Sequence, residues 1–176
     1  MAFEFAILDF LREHLSCGFL DVLMPAVTFL GNGGWFWIAC GVLMLFFRRY
    51  RKWGIYLLLA MLAGLLIGNL GLKPLVARDR PCWIREVELL IPTPKDYSYP
   101  SGHTLHSVIA ATVLCLADKR FRLPAILLAS LIAFSRLYLY VHFPTDILGG
   151  ALLGIFLGLA TVWIGEAVRK KLTKSA

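Results

Sequence analysis

Five long apolar runs constrain the fold of this chain more than any other feature. They are Trp35–Phe47, Trp53–Val76, His103–Ala117, Leu123–Val141 and Ile147–Val168. A helix that crosses a bilayer needs about 17–25 mainly apolar residues, so the shorter runs must use flanking residues to span it. Hydrophobic residues make up 59% of the whole sequence. We therefore predict an all-α integral membrane protein.

The first 32 residues are less regular. The stretch FEFAILDFLREHL (3–15) has charges spaced as in an amphipathic helix that lies at the membrane interface. The stretch GFLDVLMPAVTFLG (18–31) is apolar but contains Asp21 and Pro25, so it is either a sixth membrane helix or a re-entrant piece. We divide the chain into short N-terminal helices (1–32) and a transmembrane domain (33–176), and expect a bundle of five to six transmembrane helices.

Basic residues cluster in three short segments, at 48–52, 118–122 and 169–174. An alternating path through the five apolar runs places all three on one side of the membrane, and the positive-inside rule makes that side cytoplasmic. The segments 77–100 and 142–145 then lie on the outer side. The formal net charge of +7 is explained by topology and anionic headgroups, so we expect membrane lipids and not nucleic acid as partners, in the cell membrane.

The cysteines indicate neither a zinc site nor a disulfide framework. Cys17, Cys40, Cys82 and Cys115 are dispersed and form no CxxC pair. The pattern leaves a pairing of Cys17 with Cys82 open, and it leaves the oligomeric state open as well.

Small residues recur every four positions in two of the apolar runs, a spacing that lets helix backbones approach closely in lipid. We predict that both rows are helix-packing surfaces. The rows are Ala60, Gly64 and Gly68, and Gly150, Gly154 and Gly158.

Three polar stretches fall on the predicted outer face: KPLVARDRP (73–81), PSGH (100–103) and SRLYLYVHFPTD (135–146). Charged groups near membrane depth are costly and are candidates for functional sites. Lys73, Arg80 and Arg136 bring three cations to this face, and a guanidinium group suits a phosphate ligand. The stretches therefore predict an anion site.

The start of the third apolar run supports that prediction. Ser101 is a good N-cap, Gly102 permits close approach of the backbone, and Pro100 ends the preceding segment. A helix N-terminus presents free N–H groups and a positive dipole end. We expect Ser101 and Gly102 to help bind the anion.

Two histidines on the same face suggest catalysis. Asp146 follows His142 by four residues, so its carboxylate can accept the Nδ1 proton and leave Nε2 free as a nucleophile. His103 can supply a proton to a leaving oxygen. His106 lies one helical turn after His103, and we expect it to support the site or to lie beside the substrate.

These motifs together resemble the signature of the type 2 phosphatidic acid phosphatase superfamily. The resemblance rests on Lys73-x6-Arg80-Pro81, Pro100-Ser-Gly-His103 and Ser135-Arg136-x5-His142-x3-Asp146, and it covers roughly residues 35–168. The superfamily includes lipid phosphate phosphatases, phosphatidylglycerophosphatase B, undecaprenyl-diphosphatases and soluble vanadium haloperoxidases. A haloperoxidase fits poorly because those proteins are large and soluble.

The resemblance implies an all-α core with its active site at the outer membrane face, no cofactor and no metal requirement. It implies that His142 forms a phosphohistidine, that Asp146 orients His142, and that His103 protonates the leaving group and then activates water. The groups implied to hold the phosphoryl oxygens are those of Lys73, Arg80, Ser101, Gly102 and Arg136.

We expect a lipid phosphate or diphosphate as substrate. Undecaprenyl diphosphate is favoured by the small size of the chain and by an outward site suited to recycling of a carrier lipid. Phosphatidylglycerol phosphate, phosphatidate and lipid A are alternatives, and residues 82–97 are the predicted substrate-selecting segment. A non-catalytic anionic-lipid binder or transporter would not need Asp146 behind His142, and a structural scaffold would explain none of the polar residues.

Overall fold

The computed structural model describes residues 1–174, which form helices joined by short loops and by one irregular segment at 85–101. The helices are α1 (Ala2–Leu15), α2 (Gly18–Gly31), α3 (Trp35–Phe46), α4 (Arg51–Gly64), α5 (Lys73–Val76), α6 (Pro81–Ile84), α7 (Gly102–Ala117), α8 (Lys119–Tyr138) and α9 (Pro144–Lys174). A π-helical segment, Leu65–Leu72, joins α4 to α5. The predicted all-α membrane fold is confirmed.

Within residues 1–174, four helical stretches are long and apolar enough to cross a membrane: Gly18–Phe46, Arg51–Ile84, Lys119–Tyr138 and Pro144–Lys174. The apolar helix α7 is shorter, as its sequence predicted. In the first stretch α2 continues into α3, so the short apolar run Trp35–Phe47 gains the flanking residues that we expect it to need. Gly33 and Gly34 adopt φ values of 58° and 70°, which favour glycine, and they bend the chain at the predicted boundary near residue 32.

Helix α7 is the centre of the bundle and packs against α4, α8 and α9. The glycine row of α9 makes this packing close. A Cβ atom on Gly150 would lie 2.8 Å from the Ser101 carbonyl oxygen, and one on Gly154 would lie 2.9 Å from the Leu105 carbonyl oxygen. Helix packing by this row is confirmed. The contact also fixes the start of α7 against the start of α9, where the predicted site residues lie.

The basic segments meet at one end of the bundle. Asp118 accepts hydrogen bonds from Arg49 and from the Tyr50 hydroxyl, and Lys52 pairs with Glu166. The other end, which we call the site end, carries residues 77–101 and 139–143. The basic segments and the segments that carry the predicted site therefore lie at opposite ends of the bundle, as the predicted topology requires.

Helix α1 packs across the site end. The ring of Phe5 meets that of Phe143 edge-on, with centroids 5.2 Å apart. The Tyr140 hydroxyl donates to Asp9 of α1 at 2.7 Å. Burial and this hydrogen bond raise the pKa of Tyr140 to about 12. Among residues 1–174, α1 is outside the stretches long enough to span a membrane, in keeping with an interfacial helix.

Candidate active site

A cavity of about 480 Å³ opens at the site end. Most residues predicted from the sequence to act on a phosphate line its wall: Lys73, Arg80, Gly102, His103, His106, Arg136 and His142. Two predicted residues lie behind that wall. Asp146 is fully buried beneath His142, and the Ser101 hydroxyl accepts hydrogen bonds from the backbone and side chain of Thr104. Ser101 therefore acts as the predicted N-cap of α7.

The π-helical segment helps to bring the first polar stretch to the cavity. A π turn carries extra residues within a continuous helix, and such segments are frequent at functional sites. Asn69 lies in this segment and Lys73 directly follows it. A Cβ atom on Gly102 would lie 3.0 Å from the Asn69 side-chain oxygen, so only a residue without a side chain fits well there.

Two of the three predicted cations are held by a carboxylate that the sequence reasoning left out. Asp96, in the irregular segment, pairs through one oxygen with the Lys73 ammonium group and through the other with Arg80 Nη2, at 2.7 Å. Lys73 and Arg80 are buried, whereas the Asp96 side chain is 57% exposed. Burial raises the pKa of Asp96, but the hydrogen bonds and charges of Lys73 and Arg80 outweigh it and lower the pKa to about 2. Asp96 is therefore an anion at neutral pH.

The third cation has bonding capacity left. Arg136 is 3% exposed and donates from Nη1 to the Thr28 hydroxyl at 2.7 Å. Its Nε atom is buried and has no hydrogen-bond partner within the described part of the chain. A buried unpaired donor is costly, so an anion in the cavity would satisfy Arg136.

The contacts of His142 fix its tautomer. Its Nε2 atom lies 3.0 Å from Arg80 Nη1, and because an arginine can only donate, Nε2 must be the acceptor. The proton of the neutral ring is therefore on Nδ1, which lies 3.4 Å from Asp146 Oδ2 and 3.3 Å from the Ser98 hydroxyl. Burial, aided by the charges of Arg80 and Arg136, lowers the pKa of His142 well below its ordinary value. The ring is neutral with a lone pair on Nε2, as a nucleophile requires.

Asp146 is itself held by three further groups. Arg78 donates to its Oδ1 at 2.6 Å, while the Ser98 hydroxyl and the Phe143 backbone N–H donate to its Oδ2 at 2.5 and 2.8 Å. Arg78 also pairs with Glu4 of α1. The sequence reasoning named neither Arg78 nor Ser98, although both lie in or next to its polar stretches.

His103 faces Asn32, another residue that the sequence reasoning did not select. His103 Nε2 lies 2.8 Å from the Asn32 side-chain oxygen, so this ring nitrogen carries a hydrogen. His106 donates from Nδ1 to the Gly102 carbonyl oxygen at 2.9 Å and is 6% exposed. His106 thus supports the first turn of α7 and also touches the cavity.

A family model described as the PAP2 superfamily matches residues 53–170, which contain all three polar stretches. The chain belongs to the PAP2 superfamily.

Similar proteins agree with this membership. Undecaprenyl-diphosphatase of Sulfolobus acidocaldarius is 37% identical over 149 residues, which are 82% of this chain and 72% of that protein. Undecaprenyl-diphosphatase BcrC of Bacillus subtilis is 27% identical over 178 residues, 93% of this chain and 91% of that protein. The crystal structure of the transmembrane PAP2 type phosphatidylglycerolphosphate phosphatase of Bacillus subtilis gives a TM-score of 0.77 at 26% identity, covering 95% of this chain and 86% of that one.

This PAP2 protein is therefore a membrane-embedded phosphatase of lipid phosphates, a phosphoric ester hydrolase. The side chains of Lys73, Arg80, His103, Arg136 and His142 from the three polar stretches line one cavity. Within residues 1–174, no group of three or more His, Cys, Asp or Glu side chains is placed to hold a metal ion. Independence from metals stays a prediction.

Proposed function

We propose that this PAP2 enzyme removes the terminal phosphate of undecaprenyl diphosphate at the outer face of the cell membrane, through a phosphohistidine intermediate. One observation carries the proposal. The lone pair of His142 Nε2 lies at a cavity that also contains three buried cations. Phosphoryl transfer mainly requires positioning and charge stabilisation, and this arrangement supplies both.

In the first step, His142 Nε2 attacks the terminal phosphorus and forms a P–N bond. The bond from phosphorus to the bridging oxygen breaks, and lipid monophosphate leaves. His103 acts here in its protonated, cationic form: it donates its Nε2 proton to the leaving oxygen and becomes neutral. The phosphorylated ring of His142 becomes cationic, and the Asp146 carboxylate stabilises it at Nδ1.

In the second step, a water oxygen attacks phosphorus while His103, now without the transferred proton, accepts a proton from that water. The P–N bond breaks, and its electron pair restores the lone pair of His142 Nε2. Inorganic phosphate is released and both histidines return to their initial states. Lys73, Arg80, Arg136 and the backbone at Gly102 hold the phosphoryl oxygens in both steps.

The substrate preference is supported by similarity and by topology. Two similar proteins with high coverage are named undecaprenyl-diphosphatase. The basic segments lie at the end of the bundle opposite the cavity, and under the positive-inside rule this supports an outward-facing cavity. Phosphatidylglycerol phosphate is the second candidate, because a solved structure similar to this chain is a phosphatase for it.

Phosphate release from a panel of purified lipids tests the proposal. The full chain in detergent is assayed on undecaprenyl diphosphate, phosphatidylglycerol phosphate, phosphatidate and lipid A. We expect the highest kcat/KM for undecaprenyl diphosphate and no turnover in His142→Ala. His14→Ala is the matched control, because His14 is an exposed histidine on α1 and its loss should leave the rate unchanged. A higher kcat/KM for another lipid would make that lipid the preferred substrate. Absence of phosphate release from all four lipids would overturn the proposal.

A further inference from the structure

The structure assigns Asp96 the role of an internal competitor: its carboxylate binds the same Lys73 and Arg80 groups that would bind a phosphate, and the substrate must displace it. This inference rests on the proposed function, since it concerns the same cavity. It adds a residue that determines how strongly the site discriminates between the lipid substrate and small phosphate anions.

The bonding of Arg80 is the first observation. A guanidinium group has five N–H donors, and five acceptors surround this one. They are the backbone and side-chain oxygens of Asp96, the carbonyl oxygens of Tyr97 and Val141, and His142 Nε2. No donor of Arg80 is left for a phosphate, so binding of a phosphate requires that at least one of these bonds be exchanged.

The second observation identifies the bond that can be exchanged. Lys73 and Arg80 are only 6% and 2% exposed; Lys73 begins α5, and Arg80 directly precedes α6 as its N-cap residue. The Asp96 side chain is 57% exposed and belongs to the irregular segment 85–101. The carboxylate can therefore move into solvent, where water hydrates its charge, while the incoming phosphate replaces it as the anion beside the two buried cations; the cations cannot leave in the same way.

The nucleophile provides the third observation. Arg80 Nη1 covers the lone pair of His142 Nε2 at 3.0 Å, while Asp96 binds Nη2 of the same guanidinium group. An incoming phosphate that replaces Asp96 would also redirect Arg80 and uncover Nε2. Asp96 does not contact Arg136, whose Nε atom keeps a free N–H. This N–H can donate to the phosphate before Asp96 is displaced.

A tethered competitor affects small anions most. A group joined to its site by a short flexible segment acts at an effective concentration on the order of millimolar. Inorganic phosphate must overcome this competitor with its own charge alone, whereas a lipid is also retained by the membrane. Asp96 therefore weakens binding of free phosphate, including the product of the reaction, more than it weakens use of the lipid.

Direct binding of inorganic phosphate tests the inference without relying on turnover. Isothermal titration of the full chain in detergent is compared among the wild type, Asp96→Asn and Asp96→Ala. Loss of a competing charge-assisted contact should lower the Kd for phosphate by about tenfold or more in both variants. Phosphate should likewise inhibit hydrolysis of the lipid at lower concentrations.

Asp79→Asn is the matched control. Asp79 precedes Arg80 in the chain and is exposed, and among the described residues it has no hydrogen bond or ion pair. The variant removes the same charge nearby without altering the contacts, so its Kd for phosphate should stay within about twofold of wild type.

Equal or weaker binding of phosphate in Asp96→Asn and Asp96→Ala would overturn the inference, because it would make Asp96 a positioning partner of the two cations. An equal gain in Asp79→Asn would also overturn it, because general electrostatics would then explain the effect. Failure of the proposed function is recognised separately, as absence of phosphate release from every lipid by the wild type.

Discussion

Replacement of Asp146 by asparagine should separate the structural role of this carboxylate from its chemical role. The side chain is fully buried. One of its oxygens accepts from Arg78 at 2.6 Å, and the other accepts from Ser98 and from the Phe143 N–H and faces His142 Nδ1. An asparagine keeps only one oxygen, so its NH₂ group must face one of these two sets of donors.

The expected loss of stability in Asp146→Asn follows from that mismatch between its NH₂ group and the donors around it. Loss of one hydrogen bond to a charged group costs about 1.5–3 kcal/mol, so the free energy of unfolding of Asp146→Asn should fall by about 2 kcal/mol. The variant also loses the negative charge that stabilises the cationic phosphohistidine and the tautomer of His142. We expect kcat to fall by about 10²–10⁴-fold.

Arg78→Gln is the matched comparison, because it removes the same ion pair and leaves the carboxylate charged. Its stability should fall by a similar amount, about 2 kcal/mol, while kcat should fall less than about tenfold. Thermal unfolding in detergent and single-turnover hydrolysis of the lipid measure the two quantities. An equal loss of kcat in Arg78→Gln and Asp146→Asn would refute the assignment of a chemical role to Asp146.

Three further predictions concern metals, topology and pH. Hydrolysis should survive EDTA and be inhibited by vanadate, a phosphate mimic; loss of turnover in EDTA that Mg²⁺ restores would contradict metal independence. In a cysteine-free variant, Lys95→Cys should react with an impermeant thiol reagent in intact cells and Lys119→Cys should not; the reverse pattern would place the cavity on the cytoplasmic side. Because burial and nearby cations hold the pKa of His142 below 6.5, the unfolded chain binds a proton there that the folded protein does not. The free energy of unfolding should therefore decline as pH falls below about 6.5, and His142→Asn should make this decline with pH shallower when thermal unfolding is measured at several pH values. An equally steep decline in the variant would contradict a neutral His142 ring.

Much of the fold and the site could be predicted because membrane insertion leaves strong marks in a sequence. Apolar runs gave the helices, and the glycine row of α9 gave a helix contact that the structure shows at Gly150 and Gly154. The motif spacings placed Lys73, His103 and His142 together, since each stretch begins or ends a span at the same end of the bundle.

The residues that were missed depend on tertiary contacts that spacing does not encode. Asp96 lies in an irregular segment, whose path over the cavity is set by bonds to Arg80 and not by any periodic pattern. Asn32 ends the less regular first segment of the sequence, and the bend of α2 into α3 brings its side chain to His103. Asp21 left residues 18–31 open as a membrane helix or a re-entrant piece, and the Tyr138 hydroxyl donates to its carboxylate at 2.6 Å.

Direct trapping of the covalent intermediate tests the central claim, that His142 is the nucleophile of a lipid phosphatase. The wild type is mixed with undecaprenyl diphosphate labelled in its terminal phosphate and quenched in alkali, which preserves phosphohistidine, and the labelled residue is located by mass spectrometry. We predict labelled phosphate on His142, none on His142→Ala, and a longer-lived label on His103→Ala, because His103 activates the water that removes it. Burst release of phosphate with no label on His142, or a label on His142→Ala, would contradict the claim.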